Sequence, residues 1–150
     1  YVDLCEYIQH AWEEVGFKVE INVNPPSTHR QQVSKSQLSI FRGSWIADYA
    51  DAENYLSLFY SKNHSPDGPN YTHFSNNEFD VLYERSIRIP KLEDRITLYE
   101  KMDSIVINQA AIIPLYYDNV MRFSHNNVIG LGSNAMNLLD LKRVRLINND

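Results

Sequence analysis

The stretch Leu4–Val23, with the sequence LCEYIQHAWEEVGFKVEINV, indicates the fold class of this chain of 150 residues. Its first part repeats apolar residues at spacings of three and four, the period of an α-helix, and Gly16 follows the last of them. From Phe17 to Val23 apolar and polar residues alternate, which predicts a half-buried strand. A helix that leads directly into a strand predicts an α/β layer.

The residues that follow extend this layer to a βαβ unit. A polar helix is expected from Ser27 or Thr28 to about Gln37, and a second strand is expected from Leu38 to Trp45. Because a crossover of this kind joins parallel neighbours, the two strands are expected to lie parallel.

Further helices and short strands are expected downstream. The helices begin near Asp51, at Asn76 or Asn77, and after Pro90, which ends the helix before it. The strand candidates are Ile112–Tyr117, Val120–Phe123, Val128–Leu131 and Leu139–Ile147. These short strands indicate an incomplete fold. The chain also begins directly with a helix and without a signal peptide, so we interpret it as a piece of a longer protein.

Composition and charge exclude several classes of protein. The net charge of −5 provides no global positive field for nucleic acid or for an anionic membrane. The longest strictly apolar run, Ala110–Tyr117, is far shorter than the roughly 20 residues of a spanning helix. Cys5 is the single cysteine, so no disulfide can form within the chain.

No metal ion or cofactor is expected. The five histidines never fall three or four residues apart, the spacing that would place two zinc ligands on one helix face. Gly130-Leu131-Gly132 lacks the following helix that a dinucleotide-binding loop requires, and no catalytic serine motif is present.

The candidate chemistry lies between residues 42 and 51. Asp48, between Trp45 and Tyr49, could hold an organic ammonium by ion pairing with aromatic support. Arg42 could bind a carboxylate, or could be an ordinary surface arginine. Asp48 and Asp51 together could also serve glycoside chemistry, in which two acids flank the bond, although Asp51 is equally suited to charge the start of a helix.

These residues resemble a known family. The run Arg42–Asp51, RGSWIADYAD, followed by Asn54-Tyr55-Leu56, resembles the Trp-x-Ala-Asp-Tyr-x-Asp signature of the oligopeptide- and dipeptide-binding proteins of ABC importers, solute-binding protein family 5. Supporting segments occur in the order of the family: Cys5–Val23, Asn77–Asp80, Arg95 with Leu98–Glu100, and Ile112–Tyr117. Ala52 replaces the proline that usually follows the second Asp.

The resemblance implies the fold and the position of the chain in a longer protein. Members have two lobes joined by a hinge, with the ligand enclosed between them. The chain is then expected to be a C-terminal part, with residues 1–118 in the second lobe and residues 119–150 as hinge-crossing strands that return to the first lobe. The expected fold is an incomplete α/β, periplasmic-binding-protein-like lobe with a mixed sheet flanked by helices.

The resemblance also implies a function. In peptide-binding members the Asp that matches Asp48 pairs with the α-amino group of the ligand, the Trp that matches Trp45 lines the pocket, and in some members an Arg at the position of Arg42 meets the ligand carboxylate. The expected protein is not an enzyme. It binds peptides outside the cytoplasm or in the periplasm, with or without a lipid anchor, and delivers them to a membrane permease. Because the family includes binders of sugars, nickel complexes and haem, a carbohydrate binder using Trp45 and Tyr49 remains the alternative.

Overall fold

The computed structural model describes residues 1–134 and 137–147. The chain divides into two compact units, Tyr1–Leu38 and Ser39–Asp150. This division differs from the predicted boundary at residue 118, which concerns the two lobes of a longer protein and stays a prediction. In the part of the chain that the structure describes, the helices are too short or too polar to cross a membrane.

The first unit consists of two helices and an extended segment between them. Helix α1 (Val2–Glu14) forms where the helical period predicts it, and Gly16 follows it with a φ of +93°, a conformation that glycine adopts without steric cost. Helix α2 (Pro26–Ser34) starts one residue before the predicted Ser27, with Pro26 in its first turn, where the missing N–H of proline is not needed.

The predicted strands at 17–23 and 38–45 are wrong for this chain. Neither segment has a ladder partner among the described residues, and Phe17 and Val23 are exposed. Alternation favours an extended backbone, but a strand forms only when its N–H and C=O groups pair with a neighbour. In the first segment, the Val19 carbonyl accepts instead from Nε2 of Gln9 at 2.8 Å. The expected mixed sheet and its parallel pair are therefore absent from the described residues.

The second unit is built around two longer helices. Its helical elements are α3 (Glu53–Leu56), which continues as a 3₁₀ turn (Ser57–Phe59), a second 3₁₀ turn (Ser61–Asn63), α4 (Asn77–Ser86) and α5 (Leu92–Asn108). Helix α4 starts as predicted, because Oδ1 of Asn76 accepts from the backbone N–H of Phe79 at 2.9 Å. Pro90 lies between α4 and α5, which pack against each other.

The core of this unit is aromatic. Phe79 and Met102 are completely buried, and the Phe79 ring makes edge contacts with the rings of Phe59 and Phe74. The complete cluster consists of Leu56, Phe59, Phe74, Phe79, Tyr83, Leu98, Tyr99, Met102 and Val106. Members come from α3, α4 and α5, so the core fixes the position of α3 against the two longer helices.

Only a small part of the predicted C-terminal strand set forms in the described residues. Strands β1 (Val128–Ile129) and β2 (Arg145–Leu146) pair antiparallel, with Val128 opposite Leu146. Gly130 follows β1 with a φ of +81°, and a side chain there would collide with the carbonyl oxygen of Arg143. Among the residues that the structure describes, the segments 112–117 and 120–123 have no ladder partner and are not strands, for the same reason as the earlier segments.

Candidate ligand-binding site

The segment Trp45–Tyr49 lies immediately before α3 and is held by one buried side chain. Asn54, which is 4% exposed, accepts two hydrogen bonds at Oδ1: from Nε1 of Trp45 at 2.7 Å and from the backbone N–H of Asp48 at 3.2 Å. The Trp45 ring is half-buried, whereas Asp48 is exposed. Asn54 thereby fixes the indole beside the backbone that carries the Asp48 carboxylate.

Glu53 holds the aromatic residue at the end of this segment. The hydroxyl of Tyr49 donates to Oε2 of Glu53, and the hydroxyl of Tyr83 on α4 donates to Oε1 of the same carboxylate. The hydrogen bond to Glu53, followed by burial, raises the pKa of Tyr49. For Tyr83 burial is the larger cause and the bond to Glu53 the next, and its pKa is also raised. Both phenols therefore stay neutral and act as donors at neutral pH.

Asp51 connects the start of α3 to helix α5. Its Oδ2 lies 2.7 Å from Nη2 of Arg95, and its Oδ1 accepts from the hydroxyl of Tyr99 and from the backbone N–H of Glu53, both at 3.0 Å. Burial opposes ionisation, but these three donors together outweigh it and lower the pKa of Asp51. Burial and the bond to Asp51 raise the pKa of Tyr99 to about 12.

The neighbouring carboxylates thus have different environments. Those of Asp51 and Glu53 are engaged by side chains of α4 and α5, whereas the described residues engage Asp48 only through its backbone N–H. Both oxygens of Asp51 are occupied by Arg95, Tyr99 and the backbone N–H of Glu53, which leaves neither of them available to attack a sugar or to activate a water molecule. The geometry therefore disfavours Asp48 and Asp51 as a catalytic pair and agrees with the interpretation of Asp51 as the acid at the start of a helix.

The structure brings three of the four predicted site residues together. Trp45, Asp48 and Tyr49 share the network of Asn54 and Glu53. The fourth, Arg42, is half-buried and lies earlier in the same irregular segment. Among the described residues, no group of three or more His, Cys, Asp or Glu side chains is arranged to hold a metal ion.

Sequence reasoning missed the residues that organise this site. In the sequence, these residues are Asn54, Arg95 and Tyr99. They stand only within family motifs, and the motifs do not predict the contacts that their side chains make. A single sequence does not predict that Asp51 contacts Arg95, which lies 44 positions later, because only the packing of α3 on α5 brings the two residues together. The one local signal is the spacing of Tyr49 and Glu53, four residues apart.

The fall in the free energy of unfolding at low pH should depend on Asp51. Because its folded-state pKa is lowered, its stabilisation is complete above its ordinary pKa of about 3.9 and is lost as the pH falls through the lowered value. Asp51→Asn is expected to destabilise the chain by about 1.5–3 kcal/mol at neutral pH and to have a smaller effect in acid. Urea unfolding over roughly pH 2–7 measures both, with the exposed Asp94→Asn on α5 as control. Parallel curves for wild type and Asp51→Asn would show that the ion pair does not stabilise the fold.

Comparison with known proteins places the chain in a family. The family model described as bacterial extracellular solute-binding proteins, family 5 Middle, matches residues 1–67, which contain Trp45, Asp48 and Asn54. Dipeptide-binding protein DppE of Bacillus subtilis is 30% identical over 112 residues, which are 75% of this chain and 20% of that protein. Heme-binding protein A of Haemophilus influenzae is 29% identical over 112 residues, with the same shares.

A further relative matches a similar share of the chain. Oligopeptide-binding protein OppA of Bacillus subtilis is 27% identical over 115 residues, which are 76% of this chain and 21% of that protein. The chain thus spans about a fifth of the length of the curated relatives that it matches. The chain belongs to the bacterial extracellular solute-binding proteins of family 5.

Proposed function

We propose that the chain is the C-terminal part of the substrate-binding component of an ABC importer, which captures dipeptides or oligopeptides outside the cytoplasm or in the periplasm for a membrane permease. In the intact protein, residues 1–118 would belong to the second lobe and residues 119–150 would return to the first. The ligand would lie between the two lobes, and the protein would have no catalytic role.

The observation that carries this proposal is the difference between Asp48 and its neighbours. Asp51 and Glu53 are engaged in the packing of α3, while Asp48 has an exposed side chain and a backbone N–H that shares the Asn54 oxygen with the Trp45 indole. A carboxylate in this position can pair with the α-ammonium group of a peptide, and an adjacent aromatic face supports a cation. Arg42, earlier in the same segment, would meet the carboxylate of short peptides.

The names of the relatives favour a peptide ligand, although they also include a protein named for a different ligand. Two of the relatives described above are named for binding dipeptides or oligopeptides, and one for binding heme. Neither heme nor a sugar requires an acid at the position of Asp48, whereas a free peptide amine does. We therefore assign the site to peptides and treat carbohydrate as the alternative that the experiment must separate.

Native mass spectrometry of the full-length protein tests this assignment. We expect the purified protein to carry masses of short peptides that are released on denaturation. Incubation with chromogenic glycosides is expected to give no turnover, because both oxygens of Asp51 are engaged by Arg95, Tyr99 and the backbone N–H of Glu53. Co-purified oligosaccharide, or steady release of the chromophore, would contradict the proposal.

A further inference from the structure

We infer that Asn54 is a positioning residue for ligand binding, because its buried amide oxygen orients the Trp45 indole and the backbone that carries Asp48, two residues proposed to contact the peptide. The inference rests on the proposed function and adds to it a residue that touches no ligand. Two observations carry it: the acceptor atom of the side chain and the hydrogen-bonded backbone of Asn54.

The acceptor end is identified by its partners. Nε1 of Trp45 and the backbone N–H of Asp48 can only donate, so the atom of Asn54 that faces both must be the amide oxygen. At 4% exposure, this oxygen has little access to water that could replace either bond. Loss of the oxygen would leave two donors without their acceptor, and unsatisfied donors of this kind favour reorientation of the indole and of the backbone at Asp48.

Tyr49 is held by the residue next to Asn54 on α3. Its hydroxyl donates to Oε2 of Glu53, and the hydroxyl of Tyr83 on α4 donates to the other oxygen of that carboxylate. Asn54 therefore positions two of the three residues proposed to contact the peptide, and Glu53 positions the third.

The backbone of Asn54 is itself fixed. Its N–H donates to the Asp51 carbonyl at 3.1 Å, and its carbonyl accepts from Oγ of Ser57 at 2.8 Å. Asp51 is in turn held by Arg95 and Tyr99 of α5. The orientation of the site is thus set by the packed helices through Asn54.

A buried asparagine elsewhere in the chain provides a matched control. Asn70 is completely buried, and its side chain bonds to Thr72 and Phe74 within its own loop and to the carbonyl of Tyr60 between the two 3₁₀ turns. Its replacement should destabilise the fold at least as much as replacement of Asn54, without contact with the proposed site.

The experiment uses the full-length protein and a panel of alanine peptides of two to five residues. Asn54→Leu removes both ends of the amide at similar volume, and we expect it to weaken peptide affinity by about tenfold or more. Asn54→Asp retains the acceptor, so the indole N–H signal of Trp45, assigned by its loss in Trp45→Phe, should stay near its wild-type position in ¹H–¹⁵N NMR spectra. In Asn54→Leu this signal should shift and exchange faster. Asn70→Leu should lower the unfolding temperature but leave affinity within about twofold.

The outcomes separate the two proposals. If the wild type binds no alanine peptide, the proposed function is wrong, and the ligand role of Asn54 is wrong with it. If the wild type binds but Asn54→Leu binds equally well, or keeps the wild-type Trp45 signal, only the positioning role is overturned. Equal losses of affinity in Asn54→Leu and Asn70→Leu would assign both to general destabilisation and would also overturn it.

Discussion

Replacement of Asp48 by Asn in the full-length protein is expected to lower its affinity for peptides with a free α-amino group by several hundredfold or more. The substitution keeps the shape of the side chain but leaves the ammonium group of the ligand without its counter-charge in a closed cleft. An unpaired buried charge costs roughly 3–5 kcal/mol, and each tenfold in affinity corresponds to about 1.4 kcal/mol. Isothermal titration calorimetry with alanine peptides measures the change.

The control for this substitution is Asp67→Asn, which removes the same charge from an exposed position in the loop between the 3₁₀ turns and α4. It is expected to change affinity by less than about twofold. Asp48→Asn with unchanged affinity and an unchanged unfolding temperature would remove Asp48 from the binding site. If Asp48 instead only stabilised the start of α3, the substitution would cost about 1 kcal/mol of stability and nothing in binding.

The second large effect is expected in the core. Phe79→Ala should destabilise the chain by about 3–5 kcal/mol, because the ring is completely buried and leaves a cavity among aromatic neighbours that cannot close it easily. Urea unfolding followed by circular dichroism measures this change. Val81→Ala, at a 59% exposed position of the same helix, should cost less than about 1 kcal/mol.

The two substitutions together separate an ordered core from a loosely packed one. Similar losses of stability for Phe79→Ala and Val81→Ala would show that α4 does not pack as described. Because the core holds α3 in place, Phe79→Ala should also weaken peptide binding at temperatures where the variant begins to unfold, and not below them.

The helices were predictable because their signals are local. Asn76 caps α4, Gly16 follows α1, and Pro90 separates α4 from α5, and each of these effects acts within a few residues of the chain. The strands at 17–23 and 38–45 were mispredicted because alternation reports on a preference for one buried face, whereas a strand also needs a neighbour to pair with.

The candidate site was predictable in part for the same reason. Trp45, Asp48 and Tyr49 lie within one short motif, so their proximity follows from the sequence. The side chains that hold them were not predictable, because the bonds of Asp51 to Arg95 and of Glu53 to Tyr83 depend on how α3 packs against α4 and α5. Asn54 was visible as a residue of the motif, but only the structure shows that its amide faces inward.

The central claim is that Asp48 holds the α-amino group of a bound peptide, and blocking that group tests it most directly. Calorimetry with free and N-acetylated forms of the same alanine peptide should give strong discrimination by the wild-type full-length protein and little by Asp48→Asn, because both changes remove the same ion pair and contacting groups are non-additive. A wild-type protein that binds free and acetylated peptides equally well, or binds neither, would contradict the assignment.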